Sequence, residues 1–115
     1  MNITLDRYSR ITDKIIDILV SNNEIRPYLE TISDEEIKVV QGIMYEGREN
    51  LHLFTLSDKE VNKYKFKDPE KQLEECALAY EDNSRENNII NICGKPGDSL
   101  AKYFRVAKIL FSLKY

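Results

Sequence analysis

The sequence predicts an all-α fold, a compact single-domain bundle of five to seven helices, several of them short, spanning residues 1–115. Three observations predict it. Apolar residues recur at spacings of three and four through most of the chain, the period of a helix face. Ser, Thr and Asp residues at cap positions, together with prolines at first-turn positions, mark the starts of those segments. A hydrophobic content of 42% and a charged content of 32% in 115 residues suit one globular domain with its own core and exclude a disordered chain.

The organising element is the stretch from Ile32 to Arg48. Ser33 and Glu36 have the spacing of a reciprocal capping box, with Ile32 and Ile37 as the hydrophobic staple around it. Asp34, Glu35 and Glu36 place negative charge at the positive end of the helix. Ile37, Val40, Ile43 and Met44 form the apolar stripe. Gly47 is read as the left-handed residue that ends the helix. Gly42, in the interior, costs about 1 kcal/mol against Ala; it either marks a place where another helix packs closely or is simply tolerated.

Around this helix the others follow in order. Thr4 caps a first helix running from Leu5 to about Ser21, with Tyr8, Ile11, Ile15 and Ile18 on its inner side. Pro27 opens a short helix to Thr31. Leu51 to Leu56 alternates like a strand but has no partner strand, so an extended loop pinned by Phe54 and Leu56 is expected. Ser57 and Glu60 repeat the capping box, with Leu56 and Val61 as staple, and start a short helix carrying Val61 and Tyr64. Asp68 and Pro69 start a helix to about Asp82 that buries Leu73, Cys76, Ala77 and Tyr80. Ser84 caps the next, which Gly94 ends. After the break at Pro96 and Gly97, Asp98 or Ser99 caps a last helix to about Lys114. Its inner face is Leu100, Tyr103, Phe104, Ala107, Leu110 and Phe111.

The chemistry-bearing residues are few. His52 is the single histidine, and Cys76 and Cys93 are distant from it and from each other. Zinc sites need ligand pairs at short spacing, and none is present, so no metal and no cofactor is expected. The two cysteines are expected to be reduced and buried, with a disulfide between them as the alternative. Gly94 to Ser99 lacks the order of a phosphate loop and reads as a helix connection. No apolar run approaches the ~18 residues of a membrane span, and Met1 to Asp6 shows no secretory signal, so a cytoplasmic protein with no membrane partner is expected. No catalytic residues are assigned and no enzyme is expected; the remaining enzymatic alternative is one centred on His52 with a cysteine.

Net charge is −3 and unevenly spread. Lys95 to Tyr115 holds five basic residues and one acid, +4, which leaves −7 on the remainder. Lys102, Arg105 and Lys108 form a basic outer row on the last helix. The candidate partner-binding residues are Tyr45, Glu46, Arg48 and Asn50 at the exit of the organising helix, where Arg and Tyr match the composition of binding hot spots. To these the acidic positions Glu70, Glu74 and Glu75 are added.

A resemblance accompanies this reading. Ile32-Ser33 and Glu35-Glu36, leading through Ile43-Met44-Tyr45 to Gly47-Arg48, resemble the opening signature of a small uncharacterised bacterial all-helical family. Ala77-Leu78-Ala79, Asn87, Ile90 to Gly94 with Pro96, and Leu100 to Tyr103 resemble its second half. The likeness spans about Tyr28 to Ala107 and departs at Glu49 and at Asn91-Ile92. It implies an all-helical fold and no activity. The expected function is therefore that of a small cytosolic regulatory protein that binds another protein, with immunity proteins and antitoxins, which mask a partner, as its pattern. The alternative is a nucleic-acid-associated regulator working through the basic row. Self-association as a homodimer through a leftover apolar face stays open.

Overall fold

The structure, a computed structural model, describes residues 4–113, apart from the side chains of Asp58 and Val61. Among these residues there is no strand. Seven α-helices follow one another: α1 (Leu5–Val20), α2 (Arg26–Leu29), α3 (Asp34–Glu49), α4 (Asp58–Val61), α5 (Pro69–Ala79), α6 (Arg85–Cys93) and α7 (Gly97–Leu110). Two 3-10 segments, Leu51–Thr55 and Asn62–Tyr64, lie before and after α4.

The cap chemistry read from the sequence sets most of the helix starts. Thr4 accepts from Arg7 N–H, Asp68 from Lys71 N–H and Ser84 from Asn87 N–H. At α3 the capping box is complete: Glu36 N–H donates to Ser33 Oγ at 3.1 Å and Ser33 N–H donates to the Glu36 carboxylate at 2.8 Å. At Ser57 the exchange is different. Glu60 N–H reaches Ser57 Oγ, but the Glu60 carboxylate takes the hydroxyl proton rather than the backbone N–H.

α3 is the spine of the molecule. α5 packs on one side of it, α7 on another, α6 adds a third contact, and α1 lies against α7. Because it is covered from several directions, α3 buries Val39 and Gln41 as well as the expected stripe. Its glycines make this possible. A Cβ at Gly42 would lie 2.2 Å from Cys76 Cβ in α5, and one at Gly47 would lie 1.8 Å from the backbone oxygen of Tyr103 in α7. Gly42 marks close packing, as its interior position suggested.

Gly47 does not end the helix. α3 continues to Glu49, no glycine has a positive φ, and Asn50 forms the C-cap, donating its side-chain amide to Glu46 O. The missing side chain is needed for α7 rather than for a turn. Leu51–Leu56 is likewise corrected. It winds into a 3-10 turn with Leu53, rather than Phe54, as its buried residue, because the eclipsed i, i+3 geometry needs only one anchor per turn. Tyr64 is exposed, and the expected burial of Val61 lies outside the described side chains. Phe66 instead fixes this region to the end of α7, with its N–H on Leu110 O and its ring 4.8 Å from that of Phe111.

The remaining corrections concern ends. α5 stops at Ala79, with Tyr80 as cap. α7 starts after Pro96, without a side-chain cap from Asp98 or Ser99. It ends at Leu110, not at Lys114, which lies outside the described residues. Ser112, at φ 57°, turns the chain so that Leu113 N–H reaches Lys108 O and Ser112 N–H reaches Ile109 O. Asn22, at φ 59°, closes α1 in the same way through Asn23 and Ile18. Both are Schellman closures built on a residue other than glycine.

Long-range polar contacts tie the peripheral helices to this frame. Arg85, at the start of α6, donates to Asp34 at 2.7 Å and to the carbonyls of Leu29 and Glu30. Arg26 pairs with Glu86, and Lys108 with Asp13. None of the helices is long and apolar enough to cross a membrane.

Candidate functional site

The close approach at Gly42 has a consequence one turn further along. α3 and α5 touch backbone to side chain at Gly42 and Cys76, and side chains from both helices line a groove beside this contact. Gly42, Tyr45 and Glu46 line it from α3; Gln72, Glu75, Cys76, Ala79 and Tyr80 line it from α5 and its cap. Its volume is about 230 Å³. Tyr45 and Tyr80 form its aromatic end, stacked with ring centroids 6.0 Å apart and planes inclined by 28°. Lys95, from the α6–α7 connection, holds its ammonium 5.3 Å from the Tyr45 ring centre while donating to Asn91 O. Arg48 approaches the same ring at 5.9 Å.

Glu46, Cys76 and Tyr80 share one electrostatic character. Burial pushes the Glu46 carboxyl above the ordinary glutamate value, and Glu49 and Glu75 push it the same way. The Cys76 thiol is pushed up to about 12, mainly by burial and then by Glu46 and Glu75. The Tyr80 hydroxyl is also pushed up to about 12, by burial and by Tyr45, Cys76 and Glu46. Three neighbouring groups thus resist negative charge for the same reasons, scarce water and nearby negative groups. Among the described residues, neither Glu46 nor Glu75 has a cation within ion-pair distance. A guest cation would meet the carboxylates of Glu46 and Glu75, which would repel an anion, while Lys95 and Arg48 stand at the Tyr45 end.

The structure brings together Tyr45, Glu46, Arg48 and Glu75 of the residues expected from the sequence. Glu70 and Glu74 are exposed on α5 outside the groove lining, and Asn50 is engaged as a helix cap. Sequence reasoning took Cys76 and Tyr80 only as core and gave no role to Gln72, Ala79 or Lys95. The signal for them was the α5 face at 72, 75, 76, 79 and 80, which mixes polar and apolar residues and suits neither core nor open solvent.

His52 is exposed on the 3-10 turn and does not line the groove with Tyr45 and Arg48. Cys93 lines a separate cleft of about 340 Å³ with Leu19, Ile25, Arg26 and Leu100, and His52 is absent from that lining too. Both cysteines are free thiols, Cys76 buried and Cys93 half-buried. Among the described residues no group of three His, Cys, Asp or Glu side chains is placed to hold a metal ion. In the basic row, Lys108 is half-buried against Asp13, Lys102 lies 5.4 Å from the centre of the Phe54 ring, and Arg105 is exposed.

Comparisons of the chain with models of protein families, with curated proteins and with solved structures return no match.

Proposed function

We propose that this chain is a small regulatory protein that binds another protein, taking a lysine or arginine side chain from a basic surface into the groove between α3 and α5. The observation that carries this reading is Glu46. A carboxylate that is half-buried, flanked by Glu49 and Glu75 and left without a cation disfavours the folded state, and an uncharged residue there would fold better. Features of this kind collect at functional sites, where the complementary charge comes from the ligand. The tyrosine pair adds an aromatic surface with little rotamer freedom to lose, suited to a cationic or guanidinium group. The exposed carboxylates Glu70 and Glu74 surround the groove with a field that speeds encounter with a basic partner. By covering such a surface the chain masks it, in the manner of immunity proteins and antitoxins.

The test is titration of the ¹⁵N-labelled protein with a short lysine- and arginine-rich peptide and, as control, its glutamate counterpart. Saturable shifts at Tyr45, Glu46, Glu75 and Tyr80 with the basic peptide alone are expected. Glu46→Gln and Tyr80→Ala should each weaken binding at least about fivefold, the loss of about 1 kcal/mol of charge-assisted or cation–π interaction. Shifts scattered over every acidic residue of the surface, unchanged by either substitution, would refute the groove as the site.

A further inference from the structure

A second surface, unconnected with the groove, carries the opposite charge. The end of α1, the first 3-10 turn and the outer side of α7 enclose a shallow depression of about 300 Å³, lined by Val20, Phe54, Asp98, Ala101, Lys102 and Arg105 among others. Val20 is 58% exposed and Phe54 40% exposed, two large apolar side chains left uncovered in the lining of one depression. Among the described residues neither Lys102 nor Arg105 pairs with a carboxylate, so two cations border this apolar patch with Asp98 as the one acid in its lining.

The matching shape is carried by the same chain. On α5, facing away from the groove, Leu78 is 60% exposed, more than any other large apolar side chain described. Glu74 lies one turn before it, and Glu81 and Asp82 follow it, all exposed. An apolar knob among acids thus answers an apolar depression among cations. The two are carried by different parts of the fold: α5 packs on α3, whereas α1 and the 3-10 turn pack on α7.

We infer that a second copy of this chain is the occupant: Leu78 of one copy seats between Val20 and Phe54 of the next, with Glu74 and Glu81 against Lys102 and Arg105. Because the two patches differ from one another, a contact that uses one of each is heterologous, and the depression and knob it leaves free let it extend by repetition. The patches are small, so the association is weak and grows with concentration. Its charged part lies at an exposed rim, so salt weakens it. The groove lining occupies another face of α5, and Glu74, whose charge also contributes to the field near the groove, is the one residue common to the two readings.

Sedimentation velocity tests the inference. At about 50 mM salt the weight-average sedimentation coefficient should rise between about 10 µM and 1 mM protein, and the rise should shrink at about 0.5 M salt. Lys102→Glu with Arg105→Glu should stay monomeric, as should Glu74→Lys with Glu81→Lys. Mixed in equal amounts, the two double variants should associate again, because each then offers the other a complementary pair of surfaces. In the native chain, concentration-dependent NMR shifts should centre on Val20, Phe54 and Leu78, a readout that requires no variant. A native chain that remains monomeric at 1 mM, association that survives either double variant alone, or a mixture that fails to associate would each overturn the inference.

Discussion

Replacing Gly47 with alanine sets two known effects against each other at one position. In an unhindered helix interior the change stabilises by about 1 kcal/mol, through the backbone freedom glycine loses on folding. Here the new methyl carbon would sit 1.8 Å from the Tyr103 carbonyl oxygen and 2.6 Å from its carbon. An ordinary carbon–oxygen contact is about 3.3 Å, so α7 must retreat by roughly 1.5 Å or α3 must bow away. The obstacle is backbone, so no rotamer change relieves it. A gap of 0.5–1 Å already forfeits about a quarter to a half of each dispersion contact, and α7 contributes Leu100, Phe104, Ala107 and Leu110 to the core. The steric loss therefore exceeds the propensity gain, and Gly47→Ala should destabilise by about 2–4 kcal/mol net, near the upper range for overpacked sites. For a domain of this size that corresponds to roughly 10–20 °C in Tm. The chain has no tryptophan, so urea and thermal unfolding are best followed by far-ultraviolet circular dichroism. Gly97→Ala is the control: its Cβ would find only Leu19, at 3.9 Å, and stability should change by less than about 0.5 kcal/mol. If Gly47→Ala unfolded within 2 °C or so of the native chain, the seating of α7 on the α3 backbone would be refuted.

Other substitutions probe separate features. Thr12 is fully buried with its hydroxyl unpartnered, so Thr12→Val should raise stability by about 1 kcal/mol, read as a higher urea midpoint at unchanged slope. Ser112→Gly removes a side chain from a left-handed residue and should stabilise by roughly 1 kcal/mol in the same assay; a loss would contradict the α7 closure described. Glu46 titrates above its ordinary value in the folded chain, so the stability it lends is full below the ordinary glutamate range and is lost as pH rises through the raised value. Glu46→Gln should therefore be more stable than the native chain at pH 7.5, with the difference vanishing towards pH 4; a variant less stable at neutral pH would contradict the strained-carboxylate reading. In thiol alkylation at pH 8, half-buried Cys93 should react first and Cys76, buried with its thiol pushed up to about 12, only on unfolding, as mass spectrometry of tryptic peptides will show.

Local grammar made most of the fold legible in the sequence. The caps at Thr4, Ser33, Asp68 and Ser84 act within one turn of chain, and each forms its expected bond. What failed to show depends on contacts distant in sequence. Gly47 looks like a stop because only the carbonyl of Tyr103, fifty-six positions on, explains why a side chain is excluded there. Leu51 to Leu56 alternates like a strand, yet the fold asks only that Leu53 be buried, which a tight turn achieves in less length. The groove was half legible. Tyr45, Glu46 and Glu75 could be picked by type and position, but Tyr80 reads as a core residue until α5 ends early and leaves it as a cap facing Tyr45.

Gly42 and Gly47 are five residues apart, which on a helix of 3.6 residues per turn sets their notches roughly 140° apart. Two neighbours are therefore seated against the main chain of one rod from two directions, α5 through the short Cys76 side chain and α7 through its own backbone at Tyr103. Such a rod can neither slide nor roll without lifting one of them out of its notch. Any change of shape along the groove between α3 and α5 therefore falls to the side chains of Tyr45, Tyr80, Glu46 and Glu75, swinging doors in a rigid frame.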